Sequence, residues 1–240
     1  APCYGHLSLV VDERDAPLSK RRGAPGIDDL RGHGVRPEAI CNYLARLGNP
    51  VPDETLQTLD QLAAGFDVTR LSRRPARFDE RQLQHWQSLA MARAPLETLR
   101  PALQANCVPD ELIPAFIALV QPNLQSAGEL DDWAVRLFDD HDVMTDAARE
   151  RAVEVGPAFF ETVMTLLESA DTGDWKALRA RLEEATGRRG GALMKPLRLV
   201  LTGLDHGPAL GAIIHIMPAA IRRLRLQRAA AVASGAGSDA

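Results

Sequence analysis

The sequence predicts an all-α protein with one short strand near its N-terminus. Three observations predict it. After Gly23, leucine, isoleucine and tryptophan recur at three- and four-residue steps along most of the chain. Proline and glycine stand where helices open and close: Pro37, Pro95 and Pro157 at openings, Gly34, Gly48 and Gly203 at ends. Alternation with period two is confined to residues 6–11, where Leu7, Leu9 and Val11 line one face.

Taken in order, residues 12–22 form a polar turn region after the strand. Residues 27–33 make a short helix stopped by Gly34. Pro37 opens the next helix, Ile40, Leu44 and Leu47 line its face, and Gly48 is its left-handed cap. Leu56, Leu59 and Leu62 define a third. Asp79 with Gln82 reads as a capping box ahead of a helix carrying Leu83, Trp86 and Leu89. Pro95 opens a helix with Leu96, Leu99 and Leu103. Residues 109–124 are helical, with Pro114 tolerated near the start, and Leu130, Trp133 and Leu137 mark another face.

The second half continues in this style. Residues 145–155, 157–170 and 174–186 are helices, with Phe160, Val163 and Leu167 on the core face of the middle one. Residues 192–202 are strongly apolar and end at Gly203. Residues 208–217 and 218–226 complete the array. Residues 229–240 are mostly Ala, Gly and Ser, and disorder is expected there. No period of about 20 to 50 residues repeats, which excludes a solenoid. A lone strand cannot satisfy its own backbone, so the N-terminal strand reads as part of a larger sheet-containing body.

Composition excludes several classes. The 240 residues are 45% hydrophobic and 25% charged, which fits a globular chain and not a disordered or fibrous one. No apolar run approaches about 18 residues, so no membrane partner is expected. The first residues lack a basic-then-apolar leader, and Cys3, Cys41 and Cys107 form no C-x-x-C pair. A cytoplasmic, reducing location follows as an expectation. The net charge of −4 is unevenly spread. Lys20-Arg21-Arg22, residues 70–81, Arg188 to Arg198 and residues 222–228 are basic. Residues 101–135 hold no Lys or Arg, and 129–142 are strongly acidic. A polyanion must therefore meet particular segments.

Few residues announce chemistry. The histidines at 6, 33, 85, 141, 206 and 215 form no i,i+4 pair with His or Cys. The Asp139-Asp140-His141-Asp142 run reads as a solvated loop, because adjacent side chains diverge; no metal site is predicted. No G-x-S-x-G, H-E-x-x-H, P-loop or G-x-G-x-x-G is present. The acidic pairs Asp131-Asp132 and Glu183-Glu184 read as solvated helix faces. Trp86, Trp133 and Trp175 read as core. Leu18-Ser19-Lys20-Arg21 differs: a small hydroxyl with two cations in a loop after a strand can cradle a phosphate.

That loop belongs to an ordered set of motifs. Pro17-Leu18-Ser19-Lys20-Arg21 is followed by Leu30-Arg31, Gly34-Val35 and Pro37, then by Asn42-Tyr43-Leu44-Ala45 with Leu47-Gly48. Phe66-Asp67 and Leu71-Ser72-Arg73-Arg74-Pro75-Ala76-Arg77-Phe78-Asp79 come next, and Lys195-Pro196-Leu197-Arg198 leads to Thr202-Gly203 near the end. The set resembles the C-terminal half of bacterial glutamyl-tRNA synthetase, a class I aminoacyl-tRNA synthetase, from about residue 6 to about residue 226.

The resemblance implies a layout. Residues 1–23 would end a catalytic domain and carry its KMSKS-like loop. Residues 24–70 would be a helical stem-contact region, 71–143 and 144–228 two α-helical anticodon-binding subdomains, and 229–240 a disordered tail. Ser19, Lys20 and Arg21 would face the phosphates of ATP. Pro17 replaces the motif's first lysine, which leaves one cation fewer. Arg22, Arg73, Arg74 and Arg77 would contact a glutamate-accepting tRNA. The family's nucleotide-binding fold precedes this segment, so the expected partners are that tRNA and the N-terminal catalytic domain. The cofactor of the parent ligase would be ATP with Mg2+. None is expected to bind this segment, which alone would be inactive. Without Lys or Arg over 101–135, either backbone groups and side chains such as Gln121, Asn123 and Gln125, whose ordinary role is a solvated polar face, would read the anticodon, or anticodon discrimination would be loose. The other reading is a free-standing helical tRNA-binding or protein-interaction module without ligase activity.

Overall fold

A computed structural model describes residue 4, residues 8–47 and residues 54–235. The expectations at His6, Leu7, Cys3, Gly48 and residues 236–240 lie outside the described residues. The chain divides into two compact units. The first comprises residues up to 98 with 124–129, and the second comprises 99–123 with 130 onward.

In the first unit the strand is shorter than the alternation predicts. It is β1 (Val10–Val11), paired in parallel with β2 (Ala76–Arg77), Val10 opposite Ala76. The Ala76 N–H donates to the Leu9 carbonyl and the Phe78 N–H to the Val11 carbonyl, both at 2.9 Å. The strand therefore finds its partner inside the chain. β2 has two residues in an arginine-rich stretch, where no alternation could reveal it.

Among the described residues this unit carries α1 (Ile27–Gly32), α2 (Pro37–Arg46), α3 (Leu59–Ala64) and α4 (Glu80–Ala92). The third begins three residues after Leu56, because Thr58 and Gln61 form a reciprocal capping box there. α2 packs on α4 through Ala39, Tyr43, Leu83, Trp86 and Ala90. The box predicted at Asp79 forms by half. Its carboxylate accepts from the N–H groups of Arg81 and Gln82, but its own N–H donates to the Tyr43 hydroxyl at 2.8 Å instead of to Gln82. A tertiary contact has taken the place of a local one. Trp86 is core, 6% exposed, with the Arg46 guanidinium 4.0 Å above its ring.

Two buried amides tie loops to these helices. Asn42 donates to the carbonyls of Glu38 and Gln57 and accepts from the Gln57 N–H. Gln87 accepts from the Arg36 N–H at 2.8 Å and donates to the carbonyls of Gly34 and Gln125 at 3.1 and 2.6 Å. It holds the 34–36 turn and the 124–129 segment to α4. Satisfied buried amides of this kind fix loop register as well as stability.

After α5 (Leu96–Leu99), the second unit carries α6 (Ile113–Val120), α7 (Glu129–Phe138), α8 (Asp146–Val155), α9 (Pro157–Ser169), α10 (Trp175–Thr186), α11 (Gly191–Thr202), α12 (Leu210–Ile216) and α13 (Ala219–Ala233). α13 packs against α8, α9 and α11. It corrects the expectation for residues 229–233, which are helical, with Ala229 fully buried. Arg222, Arg225, Leu226 and Ala229 share its buried face at helical spacing. Small alanines there permit close helix approach, although in sequence their small size reads as a lack of structure.

Arginines terminate the helices of this unit. Arg225, 1% exposed, donates to the carbonyls of Arg136, Leu201 and Asp139. Arg136 donates to the Thr202 carbonyl and Arg222 to that of Ile214, whereas Arg198 donates at 2.8 Å to the Pro208 carbonyl in the loop ahead of α12. The last carbonyls of a helix have no intrahelical donor, and a guanidinium fork can serve several at once. Removal from water pushes the Arg225 pKa down to about 10, helped by the positive charges of Arg136 and Arg228.

Candidate nucleic-acid interface

The predicted phosphate loop hangs from β1. The Asp12 carboxylate accepts from the N–H groups of Arg14 and Ala16, both at 2.9 Å, and turns the chain back. Val11 then bridges Pro17, and the Leu18 N–H donates to the Val10 carbonyl. Pro17 has no N–H to give, which suits this short return. Ser19 is extended and precedes a 3-10 turn over Lys20–Arg22. Gly23 closes the turn at φ 84°, a conformation that disfavours any side chain.

Lys20 and Arg21 are exposed, and Ser19 is half-buried with no capping bond from its hydroxyl. A methyl group at Gly26 would sit 2.9 Å from Lys20 Cε and 3.1 Å from Nζ. Glycine at 26 thus leaves room for the lysine to lie across the backbone. Among the described residues Lys20 has no ion-pair partner. The Arg22 backbone completes the turn.

The second basic segment reaches the same ladder. The Ser72 hydroxyl accepts from the Arg74 N–H at 3.1 Å and shapes the turn that carries Arg73 and Arg74. Both arginines are exposed and neither forms an ion pair among the described residues. Arg77 is different: its guanidinium meets Asp15 at 2.6 Å. The hydrogen bond that Arg77 donates to Asp15, then the charge of Asp15, raises the Arg77 pKa. Asp15 sits in the turn just before Ser19, so the β1–β2 pair carries both predicted basic elements. Sequence reasoning misses this partner because 62 positions separate the two residues. Asp67 commits its carboxylate to Thr69, whose hydroxyl and N–H hold its pKa low.

The expected anticodon readers are unevenly placed. Gln121 and Asn123 bound a 3-10 turn (Gln121–Asn123). Gln125 is committed locally: its side-chain oxygen accepts from Ser88 at 3.0 Å and its carbonyl from Gln87. In the acidic stretch, Asp139 accepts from the His141 N–H, and Asp142 accepts from Met144 while pairing with Arg149. Among the described residues no group of three or more His, Cys, Asp or Glu side chains is placed to hold a metal ion.

Comparison with known proteins places these features in order. Residues 95–230 match the family described as the anticodon binding domain. Residues 1–85 match the catalytic domain of class I tRNA synthetases (E and Q). The chain is 42% identical over 229 residues to glutamate–tRNA ligase 2 of Nitrosococcus oceani, covering 94% of this chain and 48% of that protein. It is 40% identical over 238 residues to glutamate–tRNA ligase 2 of Alkalilimnicola ehrlichii, covering 97% and 50%. The chain thus spans about half the length of the curated relatives it matches. Its fold is shared with the glutamate-tRNA synthetase structure from Elizabethkingia anophelis: TM-score 0.76, 23% identity, 96% of this chain and 51% of that one.

Proposed function

Because the chain belongs to the anticodon binding domain family, we propose that it is the tRNA-recognition half of a glutamate–tRNA ligase. The carrying observation is the order of the two matches: a class I catalytic-domain segment over 1–85, then an anticodon-binding segment over 95–230. The relatives of known name point the same way. On this reading the whole enzyme would join glutamate to its tRNA, with ATP and Mg2+ activating the carboxyl that glutamate itself supplies.

The chain's own residues fit a role at phosphates. Lys20 and Arg21 are exposed cations on a short, hydrogen-bonded turn, and Ser19 leaves its hydroxyl uncommitted to capping. An ammonium held in place stabilises charge that grows on phosphate oxygens without reorganising at the moment of reaction. Arg73 and Arg74 supply uncompensated charge for a tRNA backbone; the expectation at the Arg22 side chain lies outside what the structure describes. Arg77 acts through Asp15, tying β2 to the turn ahead of the loop. The layout of stem-contact region over 24–70 and anticodon-binding parts over 71–143 and 144–228 belongs to the same proposal, as does a cytoplasmic location. Among the described residues no helix is long and apolar enough to cross a membrane.

The test uses the purified 240-residue chain. It is expected to bind glutamate-accepting tRNA more tightly than unrelated tRNA and to show no ATP–pyrophosphate exchange. Equal affinity for every tRNA would favour a general helical RNA-binding module. Exchange above a Lys20→Ala control would show that the segment is catalytic by itself.

A further inference from the structure

The second unit holds a depression of about 410 Å³ lined by Arg100, Leu103, Asn106, Asp110 and Ile113. Arg100 lies one residue outside the stretch that lacks Lys and Arg. Three polar side chains of different chemistry therefore face one hollow. Arg100 offers donors only, ionised Asp110 acceptors only, and Asn106 both. All three are exposed, and none has a side-chain hydrogen bond or ion pair among the described residues. Leu103 and Ile113 contribute little apolar surface, so the lining is almost wholly polar. The loop between them is held from outside: the Asp131 carboxylate, on α7, accepts from the N–H groups of Gln104 and Ala105 at 2.7 and 2.8 Å. The hollow is thus pre-organised by a residue that does not line it.

We propose that this depression takes one unpaired nucleobase of an RNA loop, read at its edge by Arg100, Asn106 and Asp110. The proposal rests on the tRNA-recognition reading and deepens it by naming the reader. A base edge presents donors and acceptors side by side, and a guanidinium next to a carboxylate is complementary to such a mixture. A phosphate is not: its oxygens only accept, and Asp110 would repel it. The absence of Lys and Arg from 101–135 fits the same conclusion, since contacts here work by hydrogen-bond pattern and not by net charge. Specific recognition of RNA favours unpaired loops, whose bases can be splayed into a pocket.

The sign of one substitution separates base reading from general electrostatics. The probe is a hairpin carrying the anticodon stem and loop of glutamate-accepting tRNA, with each loop base varied in turn. The full chain and its Asp110→Asn, Arg100→Gln and Asn106→Ala variants are titrated at several salt concentrations. Because the three side chains are exposed and unpaired, melting curves should stay in place. Asp110→Asn is expected to weaken the preferred hairpin about tenfold and to flatten the preference at one loop position. Its salt slope should not change, because a carboxylate makes no phosphate contact. Uniformly tighter binding of every hairpin by Asp110→Asn, as removal of a repelling charge would give, overturns the proposal. So does unchanged affinity. A salt slope lowered by about one in Arg100→Gln, with base preference intact, would make that residue a phosphate contact and also overturn it. If the wild-type chain binds the whole tRNA but no hairpin, the base pocket is wrong and tRNA recognition stands. If it binds no tRNA at all, both readings fall.

Discussion

Tyr43 does two jobs with one side chain. Its ring packs edge-on against Phe78, with centroids 5.6 Å apart, and its hydroxyl accepts the Asp79 N–H that opens α4. The residue is 3% exposed. Burial pushes its ionisation up, against the pull of the Asp79 N–H, and the negative charge of Asp79 adds to the rise. The sign follows. The folded state favours the neutral phenol, so its contribution is complete below the unfolded value of about 10 and is lost as pH climbs through the raised folded value. Tyr43→Phe should cost about 1 kcal/mol at pH 8, the worth of one hydrogen bond. Urea unfolding of both proteins from pH 8 to pH 11 should show the gap closing at the alkaline end. A gap constant across that range would mean that the phenol does not ionise against the fold. Arg225 makes the complementary point at the same scale: a buried cation here hydrogen-bonds to carbonyls at helix ends, while the carboxylate charges of Asp139 and Asp142 favour it without a direct contact.

At the scale of elements, α11 is the clearest case of a helix that explains itself. Leu193, Leu197, Val200 and Leu201 are fully buried, and Arg198 leaves the apolar face to donate to the Pro208 carbonyl. Leu197→Ala should destabilise the protein by about 2–5 kcal/mol, because the site is enclosed and can collapse only partly. An unshifted thermal melt would remove α11 from the core. α11 is legible in the sequence because its apolar face and its closing Gly203 agree, although it opens on glycine and carries Pro196 inside. What is not legible needs partners distant in sequence. β2 exists only because β1 lies beside it. The Asp79 box gives up its second half to Tyr43, 36 positions away. The end of α13 looks featureless because alanine carries little periodic signal, yet Ala229 is fully buried. The site divides in the same way. Ser19, Lys20 and Arg21 are visible as a motif, whereas the pairing of Arg77 with Asp15 and the clustering of Arg100, Asn106 and Asp110 emerge only once the chain is folded.

For the molecule as a whole, charge placement matters more than charge total. A net charge of −4 gives no general attraction to RNA, so binding must come from local cations that are free to act. Arg73 and Arg74 meet that condition: both are exposed and have no carboxylate partner among the described residues. Arg77 meets it less well, since Asp15 already balances it. At the other extreme, Asp139 is engaged with His141 in a local turn, and the Asp140 carbonyl accepts from Arg228. These acidic residues are placed to shape their own loop. Charge reversal by Arg73→Glu with Arg74→Glu should therefore weaken tRNA binding whatever the anticodon, and should lower the salt slope by about one for each phosphate no longer neutralised. Asp139→Asn with Asp140→Asn should leave affinity unchanged or slightly tighter. A salt titration of tRNA affinity for the three proteins compares these outcomes directly. Wild-type affinity and slope in the arginine double variant would mean that tRNA does not use the 73–74 turn, and the site of phosphate contact would then have to be sought among other exposed cations such as Arg189 and Lys195.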